Sequence, residues 1–297
     1  MLNYKQLHYF WAVAKAGSIA RAGRQLHLTP QTISGQIGLL EESLGMPLFR
    51  RVGRGLEMTE TGLLALSYAE DIFQAGSELE EALRGRSTER PRLFRVGIAD
   101  VVPKSIAYRL LAPAMALAEP VRIICREGKL EPLLGELAIH RLDLVLADRA
   151  MPSEMDIKGR SHKLGECGMS VFGTAALVQA HGADFPHGLD GAPMLIPGED
   201  SAVRGRLMRW FGAQRIRPRV VGEFDDGALM NSFGQAGVGL FMAPTAIAGE
   251  VERQYRVTAV GRVDEVVERF YAISVERRAG HPAVIAINAA APQGLEN

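Results

Sequence analysis

Apolar residues in the first part of the chain recur three and four positions apart, which is the spacing of amphipathic helices. Three such stripes predict three short helices: Leu7, Phe10, Trp11 and Ala14; Ile19, Ala22, Gly23 and Leu26; and Ile33, Ile37, Leu40 and Leu44. Ser18 and Thr29 are suited to cap the second and third helices, because their hydroxyls accept free backbone N–H groups. We expect the three stripes to face one small core.

The opposite face of the third helix carries polar side chains and no charge. It comprises Gln31, Thr32, Ser34, Gly35 and Gln36, which follow the helix start at Thr29 and Pro30. Side chains that donate and accept hydrogen bonds suit a helix in the major groove of DNA, where base edges present donor and acceptor patterns. The alternative is an ordinary solvated helix face.

Residues 49–58 have the pattern of a two-stranded hairpin, a wing, with its tip at residues 53–55. This hairpin carries Arg50, Arg51 and Arg54, which can contact phosphates or enter a minor groove. Solubilising charge on the edge of a sheet is the alternative. Taken together with the helix pair, the arginines favour contact with double-stranded DNA.

A long helix is predicted from about residue 60 to residue 84. One apolar seam runs along it in steps of three and four residues: Leu64, Tyr68, Ile72, Ala75, Leu79 and Leu83. Such a stripe is typical of a helix that pairs with a second copy, and packing against its own wing domain is the alternative. We predict a homodimer, because a two-fold axis in the protein matches an inverted repeat in DNA.

From residue 93 onward, predicted strands alternate with predicted helices, which is typical of a parallel α/β sheet. The strands are expected at residues 93–98, 121–125, 142–146, 169–172, 194–196, 220–224, 239–242 and 269–274. The helices are expected near residues 104–117, 130–139, 202–213, 228–235 and 282–289. Residues 85–92 are polar and rich in turn formers, so we expect a hinge before this part begins.

Residues 17–62 resemble the winged helix-turn-helix of LysR-type transcriptional regulators. The matching residues are Gly17-Ser18, Leu26, Thr29-Pro30-Gln31-Thr32-Ile33-Ser34-Gly35-Gln36-Ile37, Leu40-Glu41-Glu42, Leu44-Gly45, Leu48-Phe49 and Thr59-Glu60-Thr61-Gly62. The resemblance implies a DNA-binding regulator that dimerises through the long helix and commonly assembles into tetramers. Many members carry an arginine where this chain has Gly35, so we expect Gln31, Thr32 and Gln36 to carry more of the base recognition.

The resemblance also implies a domain plan for the whole chain. It places a winged helix-turn-helix domain at residues 1–59, a linker helix for dimerisation at 60–84, the hinge at 85–92 and an effector-binding domain at 93–297. The effector-binding domain has two lobes, like a periplasmic binding protein, and the chain crosses between them twice. Lobe I is expected at residues 93–165 and 267–297, and lobe II at 166–266.

Acidic residues follow most of the predicted strands, at the edge where ligands of open α/β sheets bind. The predicted effector-binding set is Asp100, Ser105, Glu127, Asp148, Glu199, Asp200, Asp225 and Asp226. Each acid alone is more often a helix cap or a solvated loop charge. Together they disfavour an anionic effector and favour a cationic one, because converging carboxylates raise the local concentration of cations.

Within the LysR family, the chain looks most like an activator of a sodium/proton antiporter gene. The similar segments are Tyr9-Phe10-Trp11, Leu28-Thr29-Pro30-Gln31-Thr32, Gly53-Arg54-Gly55-Leu56-Glu57, Leu195-Ile196-Pro197-Gly198, Gly222-Glu223-Phe224-Asp225-Asp226 and His281-Pro282-Ala283-Val284. This resemblance implies a sodium ion as the effector and RNA polymerase as a further partner. A small organic metabolite, which most LysR-type proteins use, is the alternative effector.

Composition and charge are compatible with these expectations. Apolar residues make up 47% and charged residues 23% of the chain, the usual balance of a globular protein. The formal net charge is zero, but residues 1–60 hold seven Lys and Arg against four Asp and Glu, so the basic excess lies with the predicted DNA interface. The start of the chain lacks an export signal, and no apolar run reaches the ~18 residues of a membrane span. We therefore expect a cytoplasmic protein without membrane association.

An enzyme or a solute-binding protein built on the same α/β lobes is the hypothesis from another class. The sequence has no phosphate-cradling glycine loop, no nucleophile elbow and no catalytic constellation, so we predict no catalytic residues, no cofactor and no metal site. Cys125 and Cys167 form no close metal-ligand pair. Cys125 ends an apolar run and is expected to be buried as a small hydrophobe, with a redox pair as the alternative.

Overall fold

The computed structural model describes residues 2–52, 55–83, 91–155, 157–275 and 280–290. The chain divides into two compact units. The first unit is Met1–Arg90 with Ile139–Arg141, and the second unit is Pro91–Ala138 with Leu142–Asn297.

The first unit begins with the three predicted helices, which the structure confirms. Its elements are α1 (Tyr4–Ala16), α2 (Ile19–Leu26), α3 (Pro30–Leu44), β1 (Phe49–Val52), β2 (Gly55–Met58) and α4 (Glu60–Leu83). Phe10, Ile33 and Leu40 are fully buried in one shared core, as the apolar stripes predict. Leu44 is an exception, because the last residue of α3 lies beyond this core and stays 43% exposed.

Backbone contacts hold the wing against α3 and α4. The strands β1 and β2 pair antiparallel, with Phe49 opposite Met58. The Glu41 carboxylate on α3 accepts hydrogen bonds from the Leu48 and Phe49 N–H groups at 2.7 and 3.0 Å. The Leu48 carbonyl in turn accepts from the Thr59 N–H at 3.0 Å. The start of the wing is therefore held by the Glu41 carboxylate of α3 and by Thr59, the residue that precedes α4.

The second unit contains eight strands and seven α-helices within the described residues. The strands are β3 (Arg92–Ala99), β4 (Val121–Gly128), β5 (Leu144–Ala147), β6 (Gly159–Gly173), β7 (Pro193–Pro197), β8 (Arg219–Phe224), β9 (Phe241–Pro244) and β10 (Thr258–Val275). The helices are α5 (Lys104–Met115), α6 (Leu130–Ala138), α7 (Ala175–His181), α8 (Ala202–Gln214), α9 (Gly227–Gln235), α10 (Ala248–Tyr255) and α11 (Pro282–Ala290). Helices α7 and α10 are absent from the prediction.

The main sheet has the strand order β4-β3-β5-β10-β6-β9. Strand β3 runs parallel to β4 and β5, whereas β10 runs antiparallel to both β5 and β6. The predicted parallel sheet is therefore confirmed for β3, β4 and β5, whereas the longest strand, β10, runs in the opposite direction and separates β5 from β6. Strands β7 and β8 form a separate parallel pair, and a bridge between Met194 and Leu240 connects it to the segment before β9.

Strands β6 and β10 connect the two lobes of the second unit. They pair from Gly159 opposite Val275 to Gly173 opposite Thr258, with a register break between Val263 and Glu268. On the Glu268 side of the break, β10 also pairs with β5. On the Val263 side, β6 also pairs with β9. The chain thus passes twice between the lobes, as the resemblance implies.

Candidate DNA interface and effector cleft

The start of α3 combines capping residues with exposed polar groups. The Thr29 hydroxyl accepts a hydrogen bond from the Thr32 N–H at 3.2 Å, and Pro30 occupies the first turn. Gln31, Thr32 and Ser34 are exposed, although the Thr32 and Thr29 hydroxyls lie 2.8 Å apart and share a hydrogen bond. Thr29 and Pro30 therefore define where the helix begins, while the residues after them present donors and acceptors to solvent.

Gln36 differs from the other polar residues of this face because α1 orients it. Its side chain is half-buried, and its carbonyl oxygen accepts a hydrogen bond from the Gln6 amide at 3.3 Å. The bond leaves the Gln36 NH₂ group as a donor of defined direction. The sequence pattern contained no signal for this contact, which joins residues 30 positions apart.

The wing places its first two arginines on an exposed strand. Arg50 lies opposite Glu57 in the hairpin, and its guanidinium contacts the Glu57 carboxylate at 3.1 Å. Both side chains are more than half exposed, so this pair contributes little to stability and a phosphate can compete for Arg50. Arg51 is also exposed. Arg54, the third predicted arginine, lies outside the described residues.

The two sides of the long helix α4 differ in solvent exposure. Ala69 is fully buried in the core of the first unit, and Ile72 and Phe73 pack against that core. By contrast Leu64, Tyr68 and Leu79 of the predicted seam are 40%, 48% and 61% exposed. Leu83 ends the helix, and its side chain lies outside the description. The helix thus packs against its own unit and still presents an apolar edge.

The structure brings four of the predicted acids together at the edge of the β3–β5 sheet. Asp100, Asp148, Asp200 and Asp225 line one cavity of about 320 Å³. Lys129 and Arg149 line the same cavity, so the carboxylates are not free to attract a further cation. Glu127 and Glu199 line neither this cavity nor the neighbouring one described below. Glu127 lies within β4 rather than after it and forms an ion pair with Lys104.

Three acids of this cavity, Asp148, Asp200 and Asp225, each have a local partner. Lys129 contacts Asp200 at 2.7 Å and Asp225 at 3.8 Å. The hydrogen bond from Lys129 lowers the pKa of Asp200, and the same bond raises the pKa of Lys129. Asp148 is buried and accepts from the Ala202 N–H at 2.6 Å, at the start of α8. Burial raises the pKa of Asp148, although this hydrogen bond opposes the effect.

A second cavity of about 180 Å³ lies beside the first; of the predicted set, Ser105 and Asp226 line only this cavity, while Asp100 and Asp225 line both. Asp226 caps α9 through the Leu229 N–H at 2.6 Å, as Asp commonly does at a helix start. The cavity also contains Glu268, which sequence analysis missed. Glu268 precedes the predicted part of β10, and nothing in its neighbourhood in the sequence distinguishes it from a solvent-facing strand residue. Six of the eight predicted effector residues thus line one or both cavities, whereas Glu127 and Glu199 do not.

The cysteines do not have the surroundings of reactive thiols. Cys125 lies on β4 and is exposed, so the expectation that it is buried is wrong. The reason is that β4 is an edge strand of the main sheet. Burial raises the pKa of Cys167 to about 11, and partial desolvation followed by the nearby Glu127 carboxylate raises the pKa of Cys125. Over the described residues, no helix has the length and apolar character that a bilayer span requires.

Comparison with known families identifies the class of protein. Residues 4–63 match the bacterial regulatory helix-turn-helix proteins of the lysR family, and residues 87–291 match the LysR substrate binding domain. The chain therefore belongs to the LysR family. It is a DNA-binding transcriptional regulator with a two-lobed effector domain, and not an enzyme.

Individual relatives place the chain within the family. It is 40% identical over 283 residues to the transcriptional activator protein NhaR of Escherichia coli K12, which covers 95% of this chain and 93% of NhaR. Among solved structures, ArgP from Mycobacterium tuberculosis has a TM-score of 0.68 at 21% identity and covers 98% of both chains. Full-length LysG from Corynebacterium glutamicum, solved with bound effector Arg, has a TM-score of 0.66 at 19% identity and covers 99% of this chain and 100% of its own. These two structures share the fold of this chain.

Proposed function

We propose that this regulator activates transcription of a sodium/proton antiporter gene in response to sodium ions. The observation that carries the proposal is the 40% identity to the activator NhaR, which extends over both the helix-turn-helix and the effector domain. RNA polymerase is the partner that such an activator recruits.

In this proposal, α3 enters the major groove and the wing contacts the adjacent backbone. Gln31, Thr32, Ser34 and Gln36 recognise base edges, while Thr29 and Pro30 position the helix start. Arg50, Arg51 and Arg54 contact phosphates, a contribution that tolerates changes in DNA sequence and weakens with salt. The exposed apolar edge of α4 supports a homodimer that assembles further into a tetramer on an inverted repeat.

The effector would act by favouring one closure of the two lobes. A ligand shifts the equilibrium between two arrangements of the lobes only if it binds them with different affinity. Strands β6 and β10 join the lobes, so closure changes the geometry at the cleft that they border. A changed effector domain would alter how dimers pair and therefore how the wings are spaced along the promoter.

Footprinting on the antiporter promoter tests the sodium response. Sodium chloride is replaced by choline chloride at constant ionic strength, so that counterion effects on DNA binding are unchanged. We expect the protected pattern and the transcript level to change with sodium. An identical footprint and identical transcription in both salts would exclude sodium as the effector.

A small organic effector is the second candidate, and the lining of the smaller cavity favours it. Val203, Phe224, Met230 and Met242 give this cavity a mainly apolar wall. Apolar walls with a few polar groups are typical of sites for organic ligands. Calorimetry with sodium, lithium and a panel of metabolites distinguishes the two candidates. Heat of binding from a metabolite, with none from either salt, would favour the organic effector.

The proposed DNA contacts predict different effects for substitutions on the helix and on the wing. Gln31→Ala is expected to reduce discrimination between operator and mutated operator by about 1 to 3 kcal/mol, because a base contact carries sequence information. Arg51→Ala is expected to weaken binding to both DNAs equally and to reduce the salt slope by about 1. Titrations at several salt concentrations measure both. Equal loss of discrimination in the two variants would contradict these assignments.

The exposed edge of α4 predicts that a charge there prevents dimer formation. Leu79 is 61% exposed, so Leu79→Asp changes no buried contact of its own protomer. We expect sedimentation to show monomers, with DNA affinity reduced by about two orders of magnitude because two half-sites are no longer bound together. Ser77→Asp, on the same helix but outside the seam, is the matched control. A Leu79→Asp protein that remains a dimer would place the interface elsewhere.

A further inference from the structure

The smaller cavity of the cleft is bordered by both lobes. Ser105 on α5 belongs to the lobe built around β3, and Asn231 on α9 belongs to the lobe built around β7 and β8. Glu268 lies between them on β10, immediately after the register break at which this strand passes from one lobe to the other. A ligand in this cavity would therefore touch both lobes and the strand that connects them.

Two acceptor oxygens of this cavity lack partners. Among the described residues, neither Oε2 of Glu268 nor Oδ1 of Asn231 has a hydrogen-bond partner, and both atoms are buried. The Glu268 side chain as a whole is only 4% exposed. A buried polar atom without a partner costs free energy, so such atoms are rare in folded proteins and mark places where a ligand completes the hydrogen bonding.

The surroundings of Glu268 provide no close counterion for its ionised form, so the side chain holds a proton at neutral pH that a bound cation would displace. Burial, and then the neighbouring Asp148 carboxylate, raise the pKa of Glu268 to about 8. The Arg206 guanidinium acts in the opposite direction but has the smallest influence of the three. One reason is that Arg206 donates a hydrogen bond to the Val267 carbonyl at 2.8 Å. A positively charged ligand would supply the missing compensation.

Four other acids near the cleft are already engaged, which sets Glu268 apart from them. Lys129 contacts Asp200 and Asp225. Helix N–H groups donate to Asp148 and Asp226. A cation that enters the cleft would have to displace an existing partner at each of these four carboxylates, whereas Oε2 of Glu268 offers an open coordination position.

We propose that Glu268 is the residue through which the cleft recognises a cation, with the Asn231 side-chain oxygen as a second ligand. The cation is a monovalent metal ion or a protonated amine, since both carry positive charge and are bound by oxygen acceptors such as a carboxylate. The proposal rests on the proposed cation response and assigns it to one cavity. Because this cavity touches both lobes, cation binding there stabilises the closure in which Ser105 and Asn231 approach the ligand together.

The test compares the full-length protein with its Glu268→Gln and Asn231→Ala variants. Glu265→Gln is the matched control, because it makes the same chemical change at an exposed position on the same strand. Calorimetry and operator footprinting are performed with sodium chloride and with methylammonium chloride, each against choline chloride at constant ionic strength. Thermal unfolding and binding to the operator in choline chloride establish that each variant is folded.

For the cation that changes the wild-type footprint, we measure the concentration that gives half of the full change. We expect this concentration to rise at least tenfold in Glu268→Gln and several-fold in Asn231→Ala. Glu265→Gln should respond like the wild type. A response to methylammonium but not to sodium, lost in Glu268→Gln, would support the role of Glu268 and contradict the sodium response. A wild-type sodium response that Glu268→Gln retains unchanged would overturn the role of Glu268 and leave the sodium response intact. Absence of any cation binding by the wild type would overturn both.

Discussion

Replacing Gly62 by alanine is expected to destabilise the first unit and with it the binding of DNA. A Cβ atom at position 62 would lie 2.1 Å from the Leu48 carbonyl oxygen, far inside van der Waals contact. Leu48 cannot move away easily, because its side chain is fully buried and its N–H and carbonyl are both hydrogen-bonded. Overpacking of this kind costs about 1 to 3 kcal/mol, and we expect the value to lie at the upper end. For a unit of this size, the unfolding midpoint would fall by roughly 10 to 20 °C.

Gly76→Ala provides the matched control for this substitution. Gly76 lies on the same helix, outside the predicted dimer seam, and a Cβ there would meet no atom within 4 Å. Alanine should stabilise the helix at this position by roughly 0.5 to 1 kcal/mol. Calorimetry and operator binding measure both variants. If Gly62→Ala unfolds at the wild-type temperature, the close packing of the wing against α4 is not a structural requirement.

The stability of the second unit is expected to fall as the pH rises towards 8, and Glu268 is the main reason. Its ordinary pKa is 4.5 and its pKa in the folded protein is about 8, so the folded state holds a proton that the unfolded state has released. The stabilisation from this proton is complete below pH 4.5 and is lost as the pH rises through about 8. We expect the free energy of unfolding to decrease by roughly 2 to 4 kcal/mol across this window.

The Glu268→Gln variant should lack this part of the pH dependence, because glutamine stays neutral. Thermal unfolding in sodium-free choline buffer, at about pH 6 and about pH 9, measures the effect as a difference between the two proteins. The variant is expected to unfold roughly 5 to 15 °C above the wild type at the higher pH and within a few degrees of it at the lower pH. Asp148 also has a raised pKa and adds a decrease of the same sign. Parallel pH profiles for the two proteins would mean that Glu268 is ionised throughout.

The first unit was predictable from local sequence because local interactions determine it. Thr29 and Pro30 mark the start of α3 through capping and a fixed backbone angle, and the apolar stripes recur within single helices. The hydrogen bonds from Glu41 to the wing were not predictable. They join residues that are adjacent only after α3 and β1 have packed, and a glutamate on a helix gives no sign of such a partner.

In the second unit, the long strands show where pattern analysis fails. Only residues 169–172 of β6 and 269–274 of β10 were predicted. The other parts of both strands are mostly exposed or half-buried, so they lack the apolar run by which a buried strand is predicted. Each of those parts pairs with the predicted part of the other strand: residues 258–263 of β10 lie opposite residues 169–173 of β6, and residues 159–166 of β6 lie opposite residues 269–275 of β10. The antiparallel direction of β10 in the main sheet follows from this pairing, which no single segment reveals.

By itself, the sequence determined the helix-turn-helix, the wing, the long helix with its apolar seam, and the family to which the chain belongs. These features depend on periodicity, caps and a dense motif, which are properties of neighbouring residues. The tertiary structure alone decided the balance of charge in the cleft. It placed Lys129 between two predicted carboxylates and buried Oε2 of Glu268 without a hydrogen-bond partner among the described residues, because electrostatic environment depends on distances across the fold.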